Sequence, residues 1–275
     1  MIEARDTGAP ETGRPAGGRD FWPEDDSKPG GRRKKKRSPK LLWGAVAGAV
    51  AVVAAAAAGV VVLTGGDDEE GAATGLSNGP GVLPTAYTPQ MADRQMARIA
   101  QRSADQRPMT QGEVFSGETK TVTYQNYSFT LAGAQLSGDC KSVTWGQRLH
   151  DDLAKAGCSQ IARGTYVSQD RKYVGQFAAI NLASQEGADQ IVRVMDPATK
   201  AGFVLPLVAP GAPKFGGGFS AAYAQAYGHY TIVTWVQRAG GARPASLNEM
   251  IDISLAVEKP ADFVWGRLPD EGNGR

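Results

Sequence analysis

The 275-residue chain contains only two histidines and two cysteines, so it has few side chains for metal binding or nucleophilic catalysis. His150 and His229 lie far apart in the sequence, whereas a metal site needs clustered His, Cys or carboxylate ligands. Asp151 and Asp152 are adjacent on an expected helix and point to different sides, so they do not form an acid–base pair. These shortages predict no catalytic residue, no metal site and no cofactor.

Two motifs that are common in enzymes are also missing. Ser220 lies in the segment Gly-Gly-Phe-Ser-Ala, which lacks the Gly-x-Ser-x-Gly elbow of hydrolases. The glycines 216–218 are not followed by Gly-Lys-Ser/Thr, so a surface loop is a better interpretation than a phosphate site. His229 falls in a tight turn between two expected strands, which favours a surface histidine over a catalytic base.

Charge is absent from one long stretch, the 23 residues 41–63. A helix of about 20 apolar residues crosses a bilayer core. The apolar region of a signal peptide is only about 7–15 residues long, and a core helix rarely stays free of polar groups for so long. We therefore expect an uncleaved transmembrane helix over residues 41–63. Cleavage within its alanine-rich part, at residues 55–59, is the alternative.

The charges on either side of this stretch orient it. Six basic residues precede it, namely Arg32, Arg33, Lys34, Lys35, Lys36 and Arg37, and four acidic residues, 67–70, follow it. Lysine and arginine stay on the cytoplasmic side. We therefore expect a cytoplasmic N-terminus and a C-terminal domain outside the plasma membrane. The basic cluster would also attract anionic lipid head groups, and its position beside the span makes nucleic-acid binding the weaker interpretation.

The regions around the span differ in composition. Residues 1–40 carry the basic excess behind the net charge of +2 and show no hydrophobic periodicity, which predicts a disordered cytoplasmic tail. Residues 64–109 are rich in glycine and proline, and we expect a flexible stalk with a short helix over residues 89–102. The rest of the chain is close to neutral, which argues against a nucleic-acid partner.

Residues 110–270 are expected to form an extracytoplasmic α+β domain. Segments 113–115 and 119–131 have the bulky apolar residues of strands, and hairpins are indicated over residues 160–182 and 219–237. Ser184 begins one helix, and the pair Ser246 and Glu249 forms a capping box at the start of another. Hairpins mixed with helices predict an antiparallel sheet with helices packed mainly on one face.

The two cysteines, Cys140 and Cys158, both fall in the expected outer domain and predict one disulfide. Bridged Cα atoms lie within about 7 Å of each other, so a helix cannot fill the whole interval. An extended segment after Cys140, followed by a helix from about residue 146 to Gly157, brings the two ends together. The alternative is a longer helix that begins at Asp139 and leaves both thiols free.

Aromatic residues are concentrated on the two expected hairpins. Side chains alternate between the faces of a strand, so some of these rings must belong to the core. We expect core packing for most of them, and an exposed recognition surface is the alternative. The residues are Tyr166, Tyr173, Phe177, Tyr223, Tyr227, Tyr230 and Trp235.

Three segments, 157–168, 173–177 and 228–237, resemble uncharacterised single-pass membrane proteins of actinobacteria. The resemblance covers residues 113–268 and implies an extracytoplasmic domain after a basic tail and one helix. It carries no assigned catalytic residue. The layout is also similar to the outer sensor domains of actinobacterial receptor kinases, although this chain has no kinase domain and only two cysteines.

The sequence therefore favours a membrane-anchored extracytoplasmic module for binding, sensing or interaction, without catalytic activity. Its expected partners are the lipid bilayer and an envelope protein or cell-wall ligand. The alternative is a membrane-anchored cell-envelope hydrolase. That activity would require a cleft in which His150 or His229 meets a carboxylate or a serine.

Overall fold

The computed structural model describes residues 82–268. The predicted tail, the predicted transmembrane helix with its basic cluster, and the first part of the predicted stalk lie outside these residues. Within residues 82–268, no helix is both long enough and apolar enough to cross a membrane.

Residues 82–268 form nine strands and four α-helices. The strands are β1 Ala86–Gln90, β2 Thr121–Tyr124, β3 Tyr127–Ser137, β4 Thr144–Trp145, β5 Gln160–Ser168, β6 Tyr173–Asn181, β7 Phe203–Val204, β8 Ser220–Tyr227 and β9 Tyr230–Arg238. The α-helices are α1 Gln111–Val114, α2 Gln147–Lys155, α3 Gln185–Val194 and α4 Leu247–Val257. Short 3-10 segments are Arg94–Ile99, Arg102–Ala104, Gly117–Thr119, Lys141–Val143, Pro197–Thr199, Ala239–Gly241 and Lys259–Arg267.

Seven strands form one curled sheet in the order β1-β8-β9-β6-β5-β3-β2. Neighbouring strands are antiparallel except β1 and β8, which are parallel and make the sheet mixed. Strands β4 and β7 form a separate antiparallel pair. The α+β class is therefore confirmed, whereas the expectation of a purely antiparallel sheet is wrong at β1.

Two hairpin–helix units build the centre of the sheet, as the sequence predicted. The hairpin of β5 and β6 leads into α3, where the Ser184 hydroxyl accepts a hydrogen bond from the Gly187 amide at 3.2 Å. The hairpin of β8 and β9 leads to α4, where the Ser246 hydroxyl accepts one from the Glu249 amide at 3.3 Å. Both serines thus satisfy amide groups that the first turn of a helix leaves unpaired.

Helices cover both faces of the sheet, so the expectation that they lie mainly on one face is wrong. Helices α2 and α3 share an apolar core with one face, and α4 and the 3-10 segment Lys259–Arg267 share a second core with the other. The reason lies in the central strands: every residue of β6 is buried. Phe177 belongs to one core and its neighbour Ala178 to the other. A strand that is apolar on both faces needs cover on both.

The folded domain begins well before residue 110, where the sequence suggested its start. Strand β1 pairs with β8, and Met96, Ile99 and Met109 are buried in the core. The helix expected over residues 89–102 is reduced to the 3-10 segment Arg94–Ile99. The described part of the expected stalk is therefore an edge strand and a packed arm of the domain.

The region after this arm also differs from the prediction. Residues 111–114 form helix α1 and not a strand, and the Thr110 hydroxyl accepts a hydrogen bond from the Glu113 amide at 3.1 Å. The strand residues expected over 119–131 belong to two strands, β2 and β3, joined by a turn in which Gln125 has a φ of 49°. A capped first turn and a residue in the left-handed region are both local features that the apolar pattern does not reveal.

The predicted disulfide joins Cys140 to Cys158 with an S–S distance of 2.01 Å and Cα atoms 6.5 Å apart. Helix α2 fits between them as expected, with Leu149 and Leu153 buried. Gly157, with a φ of 66°, follows the helix. The segment after Cys140 is not fully extended, because a 3-10 turn precedes β4.

Candidate functional site

His229 is completely buried, so the prediction of a surface histidine is wrong. Its Nδ1 donates a hydrogen bond to the Ile99 carbonyl at 2.8 Å. The arm at residues 94–99 covers the turn closely, since a Cβ built on Gly228 would lie 2.4 Å from the Ile99 carbonyl oxygen. Burial lowers the pKa of the imidazole, which keeps it neutral. The prediction failed because the covering arm is distant in the sequence.

The other candidate catalytic residues are also held in local structure. His150 Nε2 lies 3.2 Å from the Thr144 carbonyl oxygen. Ser220 is buried, and its hydroxyl accepts a hydrogen bond from Trp235 Nε1 at 3.0 Å. Asp151 accepts a hydrogen bond from the Gln147 amide on the same helix. The structure therefore does not bring these residues together.

Over residues 82–268, no group of three His, Cys, Asp or Glu side chains is placed to hold a metal ion. In the same part of the chain, neither histidine is hydrogen-bonded to a serine or a carboxylate. The basic cluster at residues 32–37, which was expected to orient the span, lies outside the described residues. The aromatic residues of the hairpins are core residues in the main: Tyr166, Tyr173, Phe177, Tyr227, Tyr230 and Trp235 are buried.

A different site lies where one end of the sheet is covered by a loop. Residues 205–217, here called the strap, cross the face that α2 and α3 cover elsewhere. Beneath the strap the strands carry buried polar side chains, unlike the apolar surface under the helices. These are Arg163, Thr165, Gln176, Ser220 and Gln237. A loop that seals polar groups from water must supply their hydrogen bonds.

Two glutamine side chains tie the strap to the sheet as a neighbouring strand would. Gln176 accepts a hydrogen bond from the Leu207 amide at 3.0 Å and donates one to the Leu207 carbonyl at 3.3 Å. Gln237 makes the same pair of bonds with Gly216, at 3.1 and 2.9 Å. The ring of Phe215 also packs on Trp235 with centroids 4.5 Å apart. The strap is therefore anchored at both of its ends.

Arg163 is the charged residue of this site, and it is 8% exposed. Its Nη1 donates to the Leu205 carbonyl at 2.6 Å, and its Nη2 donates to the Gln135 side-chain oxygen. Its Nε is buried without a hydrogen-bond partner among the described residues. None of the salt bridges within residues 82–268 includes Arg163. Burial lowers the pKa of this guanidinium, because no carboxylate of the described residues is paired with its charge.

Arg163 lines a small cavity between the sheet and the start of the strap. The free volume is about 10 Å³, enough for one water-sized group. The other walls are mostly apolar and include Phe203, Leu205, Pro206 and Trp235. The site therefore combines a buried positive charge, a buried Nε–H without a partner and mostly apolar walls.

A second buried arginine, Arg267, differs from Arg163 because its charge is paired with carboxylates. Its Nε donates to Glu113 at 2.8 Å, and its Nη1 lies 3.2 Å from Asp105. Tyr230 donates its hydroxyl hydrogen to Asp105 at 2.7 Å. Burial would lower the pKa of Arg267, but Glu113, Tyr230 and Asp105 together raise it. Arg267 is thus surrounded by acceptors, in contrast to Arg163.

Comparison with protein-family models, with curated proteins and with solved structures finds no match to this chain. Its function is therefore inferred from its own residues. The sequence pattern did not single out Arg163, since alternate polar residues on a strand ordinarily face solvent. The available signal was the row of polar residues at one end of otherwise apolar strands, next to a loop rich in proline and glycine.

A separate titratable group predicts how stability depends on pH. The half-buried carboxyl of Glu258 accepts a hydrogen bond from the Tyr227 hydroxyl at 3.1 Å, and burial raises its pKa to about 7. A carboxyl whose pKa is raised by folding stabilises the fold when protonated, so this contribution is lost as the pH rises from about 5 to 8. We expect Glu258→Gln to gain about 1–2 kcal/mol over the wild type across that range, because the half-buried carboxylate keeps part of its hydration.

Urea unfolding of the full chain in detergent micelles at several pH values measures this difference. The glutamine variant and the wild type should have nearly equal free energies of unfolding at pH 5 and differ at pH 8. A difference that stays constant with pH would show that Glu258 does not titrate in this range. Asp151→Asn, on the exposed side of α2, is the matched control.

Proposed function

We propose that this chain is a single-pass membrane protein whose outer domain binds a ligand and performs no catalysis. In this proposal residues 41–63 cross the plasma membrane, the tail lies in the cytoplasm and the domain lies outside. The basic cluster at residues 32–37 holds the tail near anionic lipid head groups. The uncharged run and the charges that flank it support this topology.

The Cys140–Cys158 disulfide also supports an outer location. Disulfides persist in oxidising compartments and are rare in the reducing cytosol. The bridge lies beside the sheet core, and Cys140 is buried. A domain that depends on this bridge would be best maintained outside the cytoplasmic membrane.

The single observation that carries the binding function is the unpaired charge of Arg163. Burying an ion costs several kcal/mol unless a partner offsets that cost. The same fold gives Arg267 two carboxylates, so it can supply partners for a buried arginine. Arg163 has no such carboxylate partner within the described chain. A ligand that brings the partner, such as an envelope protein or a cell-wall component, would offset the cost of burying its charge.

The alternative of an envelope hydrolase has less support. It requires an accessible base beside a nucleophile. His229 is buried against a backbone carbonyl, and His150 is bonded to another. No described feature of either histidine favours this second function.

The topology is tested by protease treatment of spheroplasts that contain the full chain with different tags at its two ends. We expect external protease to remove the C-terminal tag and leave the N-terminal tag intact. Permeabilised spheroplasts, in which both tags are lost, are the control. Protection of the C-terminal tag in intact spheroplasts would contradict the proposed function, whatever ligand the domain binds.

A further inference from the structure

The chemistry around Arg163 restricts the class of ligand that the proposed binding function would use. Arg163 is more than nine-tenths buried and lines the cavity, and its Nε has no hydrogen-bond partner in the described chain. A guanidinium prefers carboxylate or phosphate oxygens and binds them through charge-assisted hydrogen bonds. An anion with an accessible oxygen would pair both with this nitrogen and with the charge.

The size and walls of the cavity favour a carboxylate over a phosphate or a sulfate. The free volume of about 10 Å³ accepts one oxygen-sized atom. A phosphate brings more oxygens, each of which needs a donor when buried. Around Arg163, the Gln176 amide is already bonded to Leu207, and the remaining walls are mostly apolar. One carboxylate oxygen needs only the Nε–H of Arg163 and its charge.

The walls also indicate what the carboxylate should be attached to. The start of the strap presents Leu205 and Pro206 to the cavity, and Val208, two residues on, is 81% exposed. Apolar walls such as Leu205 and Pro206 are suited to contact with an apolar group of a ligand. The carbon chain of a ligand can lie along this part of the strap while its carboxylate meets Arg163.

We propose that the Arg163 cavity receives one carboxylate oxygen of an apolar monocarboxylate. This inference rests on the proposed binding function and names the ligand class of the same site. It assigns Arg163 the role of counterion and donor, and the residues from Phe203 to Pro206 the role of apolar wall.

Gln135 offers a variant that tests the charge without removing the arginine. Gln135 is exposed and faces Arg163 across β3 and β5, where its side-chain oxygen accepts the Nη2 hydrogen bond. Gln135→Glu keeps the shape and the hydrogen bond but adds a negative charge. The variant therefore supplies Arg163 with an internal counterion, which should compete with an external carboxylate.

The experiment is isothermal titration calorimetry of the full chain in nanodiscs, with sodium hexanoate as the probe. Hexanamide has the same chain without the charge, and sodium chloride tests whether any small anion suffices. We expect hexanoate to bind the wild type and hexanamide to bind at least about tenfold more weakly. Arg163→Met and Gln135→Glu should each weaken hexanoate binding by at least about tenfold. The Arg163→Met variant is also the control for partition of hexanoate into the lipid, because this partition does not depend on Arg163.

Four results would overturn the inference: no saturable binding of hexanoate to the wild type, equal binding of hexanamide, full competition by equimolar chloride, or unchanged binding in either folded variant. Each concerns the ligand class alone and leaves the topology from the spheroplast experiment as it stands. If Arg163→Met does not fold, Gln135→Glu decides, because its substitution is isosteric and exposed. A folded Gln135→Glu protein that binds hexanoate like the wild type would contradict the role of the charge.

Discussion

Replacing Arg267 by methionine is expected to lower the free energy of unfolding by about 3–5 kcal/mol. The substitution removes the buried cation shared by Asp105, whose side chain is 2% exposed, and Glu113, and leaves Asp105 only the exposed Arg107 at 3.8 Å. It also removes the donors to the Arg107 and Pro108 carbonyls, which join the arm before β2 to the end of the domain. Urea unfolding of the full chain in detergent micelles, followed by tryptophan fluorescence, measures the loss.

Two further variants separate charge from packing at this position. Arg148→Met, on the exposed face of α2, should change stability by less than about 0.5 kcal/mol. Adding Asp105→Asn and Glu113→Gln to Arg267→Met should recover part of the loss, because the uncompensated charges are removed. A loss below about 1 kcal/mol for Arg267→Met would show that the cluster does not hold the arm to the domain.

Removing the disulfide is expected to have the second largest effect. The two cysteines are 18 residues apart in sequence, and closing a loop of this length stabilises the fold by about 3 kcal/mol in the chain-entropy model. The double variant Cys140→Ala with Cys158→Ala should therefore unfold at a lower urea concentration than the wild type. The segment that loses this constraint is the one between the cysteines, which includes β4 and α2.

The reduced wild type is the matched control for this variant. Addition of a thiol reductant should lower the stability of the wild type towards that of the double alanine variant. The same reductant should leave the alanine variant unchanged. Equal stability of the oxidised and reduced wild type would contradict a stabilising role for the bridge.

Much of the central sheet was predictable because its signals are local. Each hairpin joins two apolar segments through a short polar turn, and each of the two helices has a serine cap, Ser184 or Ser246. The disulfide was predictable for a geometric reason. Only a short helix lets Cys140 and Cys158 approach to 6.5 Å, and Gly157 supplies the end of that helix.

The parts that were missed depend on pairs that are distant in sequence. Strand β1 pairs with β8, and Asp105 and Glu113 meet Arg267 near the end of the described chain. The burial of His229 follows from its contact with Ile99. Hydrophobic periodicity reports which side of an element is apolar, but it does not say which distant segment covers that side.

The site at Arg163 was missed for a related reason. Its neighbours Thr165 and Gln176 alternate with apolar residues, and this pattern ordinarily indicates a solvent-facing side of a strand. The strap converts that side into a buried one through bonds from Leu207 and Gly216 to glutamine side chains. The sequence therefore did not show that the charge of Arg163 is buried, because that burial depends on the strap.

If Arg163 serves binding and not stability, the ligand-free full chain carrying Arg163→Met should unfold in urea almost as the wild type does. The substitution removes hydrogen bonds to Leu205 and Gln135, each worth about 1.5–3 kcal/mol for a charged donor. It also ends the desolvation of an unpaired ion, which costs several kcal/mol. A role in binding predicts a free energy of unfolding within about 1 kcal/mol of the wild type. A loss of about 3 kcal/mol or more, comparable to that for Arg267→Met, would contradict it.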